Sequence, residues 1–258
     1  MTPDRLGTPT TGVVVTGGAS GIGAGICAAL AEAGRPIAVW DRDGRGAEQV
    51  AAGCREHGVT AYSATVDVTD DDVVAAAVVA TAAELGPVGG LVHAAGIVQA
   101  ALDDVIDVDS WDQVLATHLR AYAFIVRAVF PELRRAGPGA AVVGISSIEG
   151  LVGHGAIPSY TAAKHGMIGL TRSLAHRLGP EGVRVNAVCP GYIETPMLAP
   201  AIGDADARAQ LESHIPLGHL GAPADVAAVV RFLLSDEARY VHGAAVVVDG
   251  GVTATGGQ

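Results

Sequence analysis

Apolar positions along the chain fall in short uninterrupted runs separated by longer stretches of helical composition. The runs Gly12–Val15, Pro36–Trp40, Thr60–Val66, Gly90–Val92, Ala140–Ile145, Val183–Val188 and Ala244–Val248 read as strands. Most lack polar alternation, the pattern of strands covered on both faces of a parallel sheet. Between them, Gly21–Ala33, Gly44–Glu56, Asp70–Leu85, Ser110–Arg135, Ser159–Leu178 and Ala224–Leu234 read as helices. Seven strands alternating with helices predict an α/β fold, a doubly wound parallel sheet with helices on both faces. Two segments break the rhythm: the glycine-rich Ile148–Pro158, and Gly191–Leu220, dense in prolines and turn signals. Ligands of open α/β sheets bind beyond the carboxyl ends of the strands, where both segments emerge. They are the expected walls of a substrate site, the second (191–220) as a lid.

Composition adds limits. Half of the 258 residues are apolar and 17% are charged, enough for a large core, and one domain spanning 1–258 is expected, with 1–11 a flexible N-terminus. A formal charge of −11 argues against nucleic acid and against an anionic membrane surface. Cys27, Cys54 and Cys189 show neither paired spacing nor adjacent histidines, so neither a disulfide framework nor a metal site is expected. Residues 1–11 lack the apolar core of a secretory signal, and no apolar run nears the ~18 residues that span a bilayer. A cytoplasmic location is the simplest expectation.

Chemistry enters at the ends of the strands. Thr16-Gly17-Gly18-Ala19-Ser20-Gly21-Ile22-Gly23 joins the first strand to the first helix. Glycines there permit a sharp turn and let backbone N–H groups meet a pyrophosphate at the helix N-terminus, which makes the predicted sheet Rossmann-like. Asp41 ends the second strand, where a carboxylate would accept hydrogen bonds from the adenosine ribose and repel a 2′-phosphate. NAD is therefore favoured over NADP, although the adjacent Arg42 could partner a phosphate. Asp67, beside Val68, reads either as a contact to the adenine amine or as a cap of the following helix. Ala94, Ala95 and Gly96 are small enough for a cofactor to lie close to the backbone.

Tyr160 and Lys164 are four residues apart and share one helix face. A phenol titrates near ~10 in water, and a neighbouring cation lowers that value, which would make Tyr160 a usable acid or base. Ser147, thirteen residues upstream, can hold a substrate oxygen.

The glycine turn, Ser147, the Tyr160/Lys164 pair, and Pro190-Gly191 followed by Thr195 agree in order and spacing with one family. From the first strand to the C-terminus the sequence resembles the compact short-chain dehydrogenases/reductases. That resemblance implies Tyr160 as general acid/base, Ser147 on the reacting oxygen, and Lys164 acting on both the phenol and the nicotinamide ribose. It further implies that Ile193 and Thr195 contact the carboxamide, that Pro190-Gly191 shapes the turn beneath the ring, and that the protein is a homotetramer. Relatives pair subunits through the segments Ser110–Arg135 and Ser159–Leu178; the stretch Ala121, Phe124, Ile125, Ala128 and Val129 suits such pairing or internal packing. Two positions depart from the family. His93-Ala94-Ala95-Gly96 replaces an Asn-Asn-Ala-Gly run, and His118 stands where relatives carry a catalytic asparagine. An imidazole can relay protons near neutral pH, so His118 is expected to modify a proton relay.

Glu149, His154, Tyr192, Met197 and Leu198 are the expected substrate contacts. The implied reaction is NAD-dependent hydride exchange with a secondary alcohol/ketone pair, on a hydroxysteroid, a polyol, or a small cyclic or aliphatic alcohol. A 3-oxoacyl thioester reductase is the alternative within the class, and a non-catalytic dinucleotide sensor or scaffold is the rival outside it.

Overall fold

The computed structural model describes residues 10–100 and 106–255; most of the expected flexible N-terminus, residues 1–9, lies outside them. Seven strands form one parallel sheet: β1 (Gly12–Thr16), β2 (Ile37–Asp41), β3 (Ala61–Thr65), β4 (Val88–His93), β5 (Ala141–Ile145), β6 (Arg184–Pro190) and β7 (Ala245–Val248). Their spatial order is β3-β2-β1-β4-β5-β6-β7. The chain winds outward from β1 to β3, then crosses back to β4 and winds the other way. That reversal leaves a crevice between the carboxyl ends of β1 and β4.

The helices are α1 (Gly21–Glu32), α2 (Gly44–Glu56), α3 (Asp71–Leu85), α4 (Val108–Leu115), α5 (Ala121–Ala136), α6 (Pro158–Leu178), α7 (Ala199–Ile202), α8 (Ala205–Ser213) and α9 (Pro223–Leu233). Alternate residues of each strand feed opposite cores. Val13 and Val15 join Ile26, Leu30, Val226 and Val230 on one face. Val14 joins Ile125, Val129 and Met167 on the other.

Three features differ from the expectations. The helix expected over Ser110–Arg135 is split by a π-helical turn at Ala116–Arg120, which shifts the hydrogen-bond phase where His118 sits. The combined stretch Val108–Ala136 is long and apolar enough to cross a membrane by length and composition, against the expectation that no segment comes near. Its apolar side is core: Ala121, Tyr122, Ile125, Val126, Val129 and Leu133 are buried. Ala121, Ile125 and Val129 are therefore committed to internal packing, and only Phe124 and Ala128 of the proposed pairing stretch remain partly exposed. Finally, the segment 191–220 holds two helices, α7 and α8. They pack as a satellite cluster in which Leu198, Ile202 and Leu211 meet Ile148, Ile215 and Leu220. Arg208 on α8 ties the cluster down by pairing with Glu194 at 2.8 Å and Glu212 at 3.0 Å.

Candidate active site

A cavity of about 750 Å³ opens along the crevice. Asp41, Arg42, Asp67 and Val68 line one end, the glycine turn lies between, and Ser147, Tyr160 and Lys164 stand beyond it under Met197 and Leu198. All the site residues expected from the sequence line this one cavity.

The glycine turn is built for close approach. Gly17 has φ +66°, and a Cβ there would lie 2.7 Å from the Ala95 backbone. A Cβ on Gly23 would lie 2.0 Å from the Gly17 carbonyl oxygen, so the helix can begin against the strand only because this side chain is missing. Asp43 and Asp70 cap α2 and α3 through their carboxylates, whereas Ser20 gives α1 no side-chain cap. The N-terminus of α1 is thus free of a side-chain cap where Ser20, Gly21 and Ile22 line the cavity, as an anion site requires. The Asp41 carboxylate braces the turn, accepting from Ala19 N and Asp43 N at 3.0 Å each. Asp67 accepts from Thr69 N and Oγ1; the cap of α3 is Asp70, so the capping alternative for Asp67 does not hold. Thr16 Oγ1 accepts from Ala94 N and Ala95 N at 3.2 Å each, which draws those small residues over the turn. These features fit a dinucleotide.

At the other end, α6 carries Tyr160 and Lys164 on one side. Lys164 Nζ lies 5.1 Å from the Tyr160 ring centre and donates to the Ile145 carbonyl at 2.7 Å. Ser146 Oγ donates to the Lys164 carbonyl at 3.0 Å, fixing α6 against the end of β5. Ser147 Oγ accepts from Glu149 N at 3.1 Å. The phenol, the hydroxyl and the ammonium therefore converge.

Their electrostatics differ from the expectation. Burial pushes the Tyr160 phenol up to about 12, with the Ser147 hydroxyl opposing and the Glu149 charge adding to the rise. Lys164 is not among the causes. Burial takes its own ammonium down to about 7, so its charge is disfavoured in the site and it is a weaker acidifier than a solvated lysine.

The two histidine departures are also placed. His118 is 1% exposed; its Nε2 lies 3.0 Å from Ile97 N and 2.8 Å from Ile97 O, and its ring meets the Tyr160 ring edge-on at 5.3 Å. A Cβ on Gly96 would fall 2.4 Å from that imidazole. Burial first, and Lys164 next, hold His118 well below the usual histidine range. An imidazole kept neutral does not titrate near pH 7, so the expected relay through a charging histidine is not supported. The side chain instead pins Gly96 and Ile97.

His93, not singled out as a site residue, proves to be part of the support. Its Nδ1 lies 3.0 Å from Thr16 Oγ1, and its ring stacks on Tyr122 at 5.6 Å. Burial holds the His93 ring down to about 4. A lone histidine ending an apolar strand was the available signal. Ser146 and the Ile145 carbonyl had none.

Comparison with known proteins agrees with this geometry. Residues 17–253 match a family model described as enoyl-(acyl carrier protein) reductase. The chain is 43% identical to cis-4-hydroxycyclohexanecarboxylate dehydrogenase of Sinomonas cyclohexanicum, over 93% of this chain and 96% of that one. A provisionally named short-chain alcohol dehydrogenase from Sinorhizobium meliloti 1021 superposes with TM-score 0.91 at 33% identity, covering 96% and 98%. A provisionally named NAD(P)-dependent gluconate 5-dehydrogenase from Beutenbergia cavernae, solved with NADP bound at low occupancy, superposes with TM-score 0.90 at 33% identity, covering 97% and 99%. With a glycine-walled dinucleotide cleft ending at a serine, a tyrosine and a lysine, the chain belongs to the short-chain dehydrogenase/reductase family of oxidoreductases.

Proposed function

We propose that the protein oxidises a secondary alcohol, or reduces the matching ketone, with NAD preferred over NADP. The convergence of Ser147, Tyr160 and Lys164 in the same cavity as the glycine turn carries this reading. A bound nicotinamide supplies the hydride acceptor or donor. Ser147 Oγ holds the reacting oxygen, and Tyr160 Oη takes the carbinol proton during oxidation or returns it during reduction. Lys164 lines the cleft beside the phenol and would hold the nicotinamide ribose. Ile193 and Thr195, beyond Pro190 and Gly191, orient the carboxamide. His118 keeps the Gly96–Ile97 wall in place. Asp41 ends β2 and lines the cleft, and a carboxylate there would repel a 2′-phosphate, which favours NAD.

Tyr192, Met197 and Leu198 enclose the substrate under α7 and α8, which serve as a lid. Substrates are small cyclic or aliphatic alcohols, polyols or hydroxysteroids. A 3-oxoacyl thioester reductase is the second reading, supported by 35% identity to a 3-oxoacyl-[acyl-carrier-protein] reductase of Staphylococcus aureus over 94% of this chain. The working unit is a single domain in a cytoplasmic homotetramer.

The test is absorbance at 340 nm with NAD and NADP against steroid, polyol, cyclic and aliphatic alcohols, and with NADH and NADPH against an acetoacetyl thioester. Turnover of an alcohol at higher kcat/KM with NAD supports the proposal. Cofactor binding without turnover of any of them overturns it in favour of a sensor.

A further inference from the structure

Glu149 sits on the 3₁₀ turn Ile148–Gly150, immediately after Ser147. Its backbone N–H donates to Ser147 Oγ, so one turn fixes both the hydroxyl and the carboxylate. The side chain lines the cavity and is 9% exposed. Its Oε2 is shut off from solvent with no hydrogen-bond partner. Buried polar atoms are ordinarily paired, and an orphan asks what completes it. No Lys, Arg or His lies within ion-pair distance of this carboxylate among the described residues.

The surroundings narrow the answer. The charge of Glu149 raises both Tyr160 and Tyr192, which places it on the side of the cavity where protons move. The opposing charges that reach it are His154 from the following loop and His165 from α6, both exposed. Among described residues, the only Lys or Arg lining the cavity are Arg42, at the far end, and Lys164, committed to the Ile145 carbonyl. Val98, Ile157, Met197 and Leu198 add apolar lining beside the polar side chains of Gln113, His154 and Tyr192. An anionic group arriving here meets a like charge and no firm cation. A hydroxyl arriving here meets an unfilled acceptor.

We infer that Glu149 is a specificity determinant that accepts a hydrogen bond from a second hydroxyl of a neutral substrate, close to the carbinol held by Ser147. The substrate class is then a hydroxylated ring or chain with an apolar body, such as a vicinal diol. Carboxylates and phosphates are disfavoured, which separates this chain from its relative named for a hydroxycyclohexanecarboxylate. The inference rests on the alcohol-oxidising reading of the same site.

The experiment compares kcat/KM for cyclohexanol, cis- and trans-1,2-cyclohexanediol and 4-hydroxycyclohexanecarboxylate in the parent, Glu149→Gln and Glu149→Ala. Ratios are read, so any general loss from disturbing the Ser147 turn cancels. The parent should favour one of the diols over cyclohexanol by at least about tenfold, as one strong hydrogen bond to a charged group provides. Both variants should cut that ratio about tenfold and raise the hydroxycarboxylate relative to cyclohexanol. Unchanged ratios in both variants, or a parent that prefers the hydroxycarboxylate to both diols, overturn the role of Glu149 while cyclohexanol turnover leaves alcohol oxidation standing. Absence of turnover with all four compounds overturns this inference, while alcohol oxidation itself is decided by the wider panel of steroid, polyol, cyclic and aliphatic alcohols.

Discussion

Lys164 is 4% exposed and its ammonium is held by a single carbonyl, so the site keeps a charge where the fold disfavours one. The sign follows from burial lowering its pKa to about 7 from 10.5. The penalty is present in full below pH 7 and fades as pH rises toward the unfolded value. Lys164→Met should therefore raise stability at pH 7 by about 1–3 kcal/mol while abolishing turnover. The gap between the urea midpoints of variant and parent should narrow from pH 7 to pH 10; equal midpoints would mean that the carbonyl fully offsets burial. His118 makes the opposite case, a titratable side chain that burial keeps neutral. His118→Asn should give a pH–rate profile that superimposes on the parent's, because the residue positions Gly96 and Ile97 and does not charge. A displaced limb of that profile would restore a titrating relay.

At the scale of elements, the turn before α1 is the part least open to change. Gly23→Ala should raise the Kd for NAD at least about tenfold, since its methyl collides with the Gly17 carbonyl while the sheet stays intact. Isothermal titration alongside an unchanged circular dichroism spectrum would show this, and unchanged affinity would refute it. This turn was legible because its chemistry lies in eight consecutive residues. The strands were legible for a related reason: β1 and β5 are buried along their whole length and their apolar runs are almost uninterrupted, whereas β6 buries Arg184 and Asn186 among its apolar residues. The π-helical turn at Ala116–Arg120 was not, because no residue in Ala-Thr-His-Leu-Arg breaks a helix and the extra residue is imposed by packing. The helices α7 and α8 were hidden by the prolines and glycines around them, with Pro200 inside the four-residue α7. The orphan oxygen of Glu149 was equally invisible, since enclosure belongs to the folded chain and not to the spacing of its residues.

For the whole molecule, the reversal of strand order between β1 and β4 brings together groups far apart in sequence. Asp41, the glycine turn, Ser147 and Tyr160 share one cavity although three strands, β3, β4 and β5, lie between Asp41 and Tyr160 in the chain. The alternation of strands and helices predicted this, because the order of winding decides where the crevice falls. The values of the proton equilibria were not predictable in the same way; they depend on how deeply the pair is buried, and burial reverses the expected direction for Tyr160. The central claim is that this phenol moves the proton while the cleft beside it holds the dinucleotide. The measurement that tests it most directly is cyclohexanol oxidation by Tyr160→Phe, with NAD affinity determined in parallel by fluorescence titration. The account predicts a fall in kcat of about 10²–10⁴-fold with NAD affinity changed less than about threefold, and unchanged turnover would contradict it.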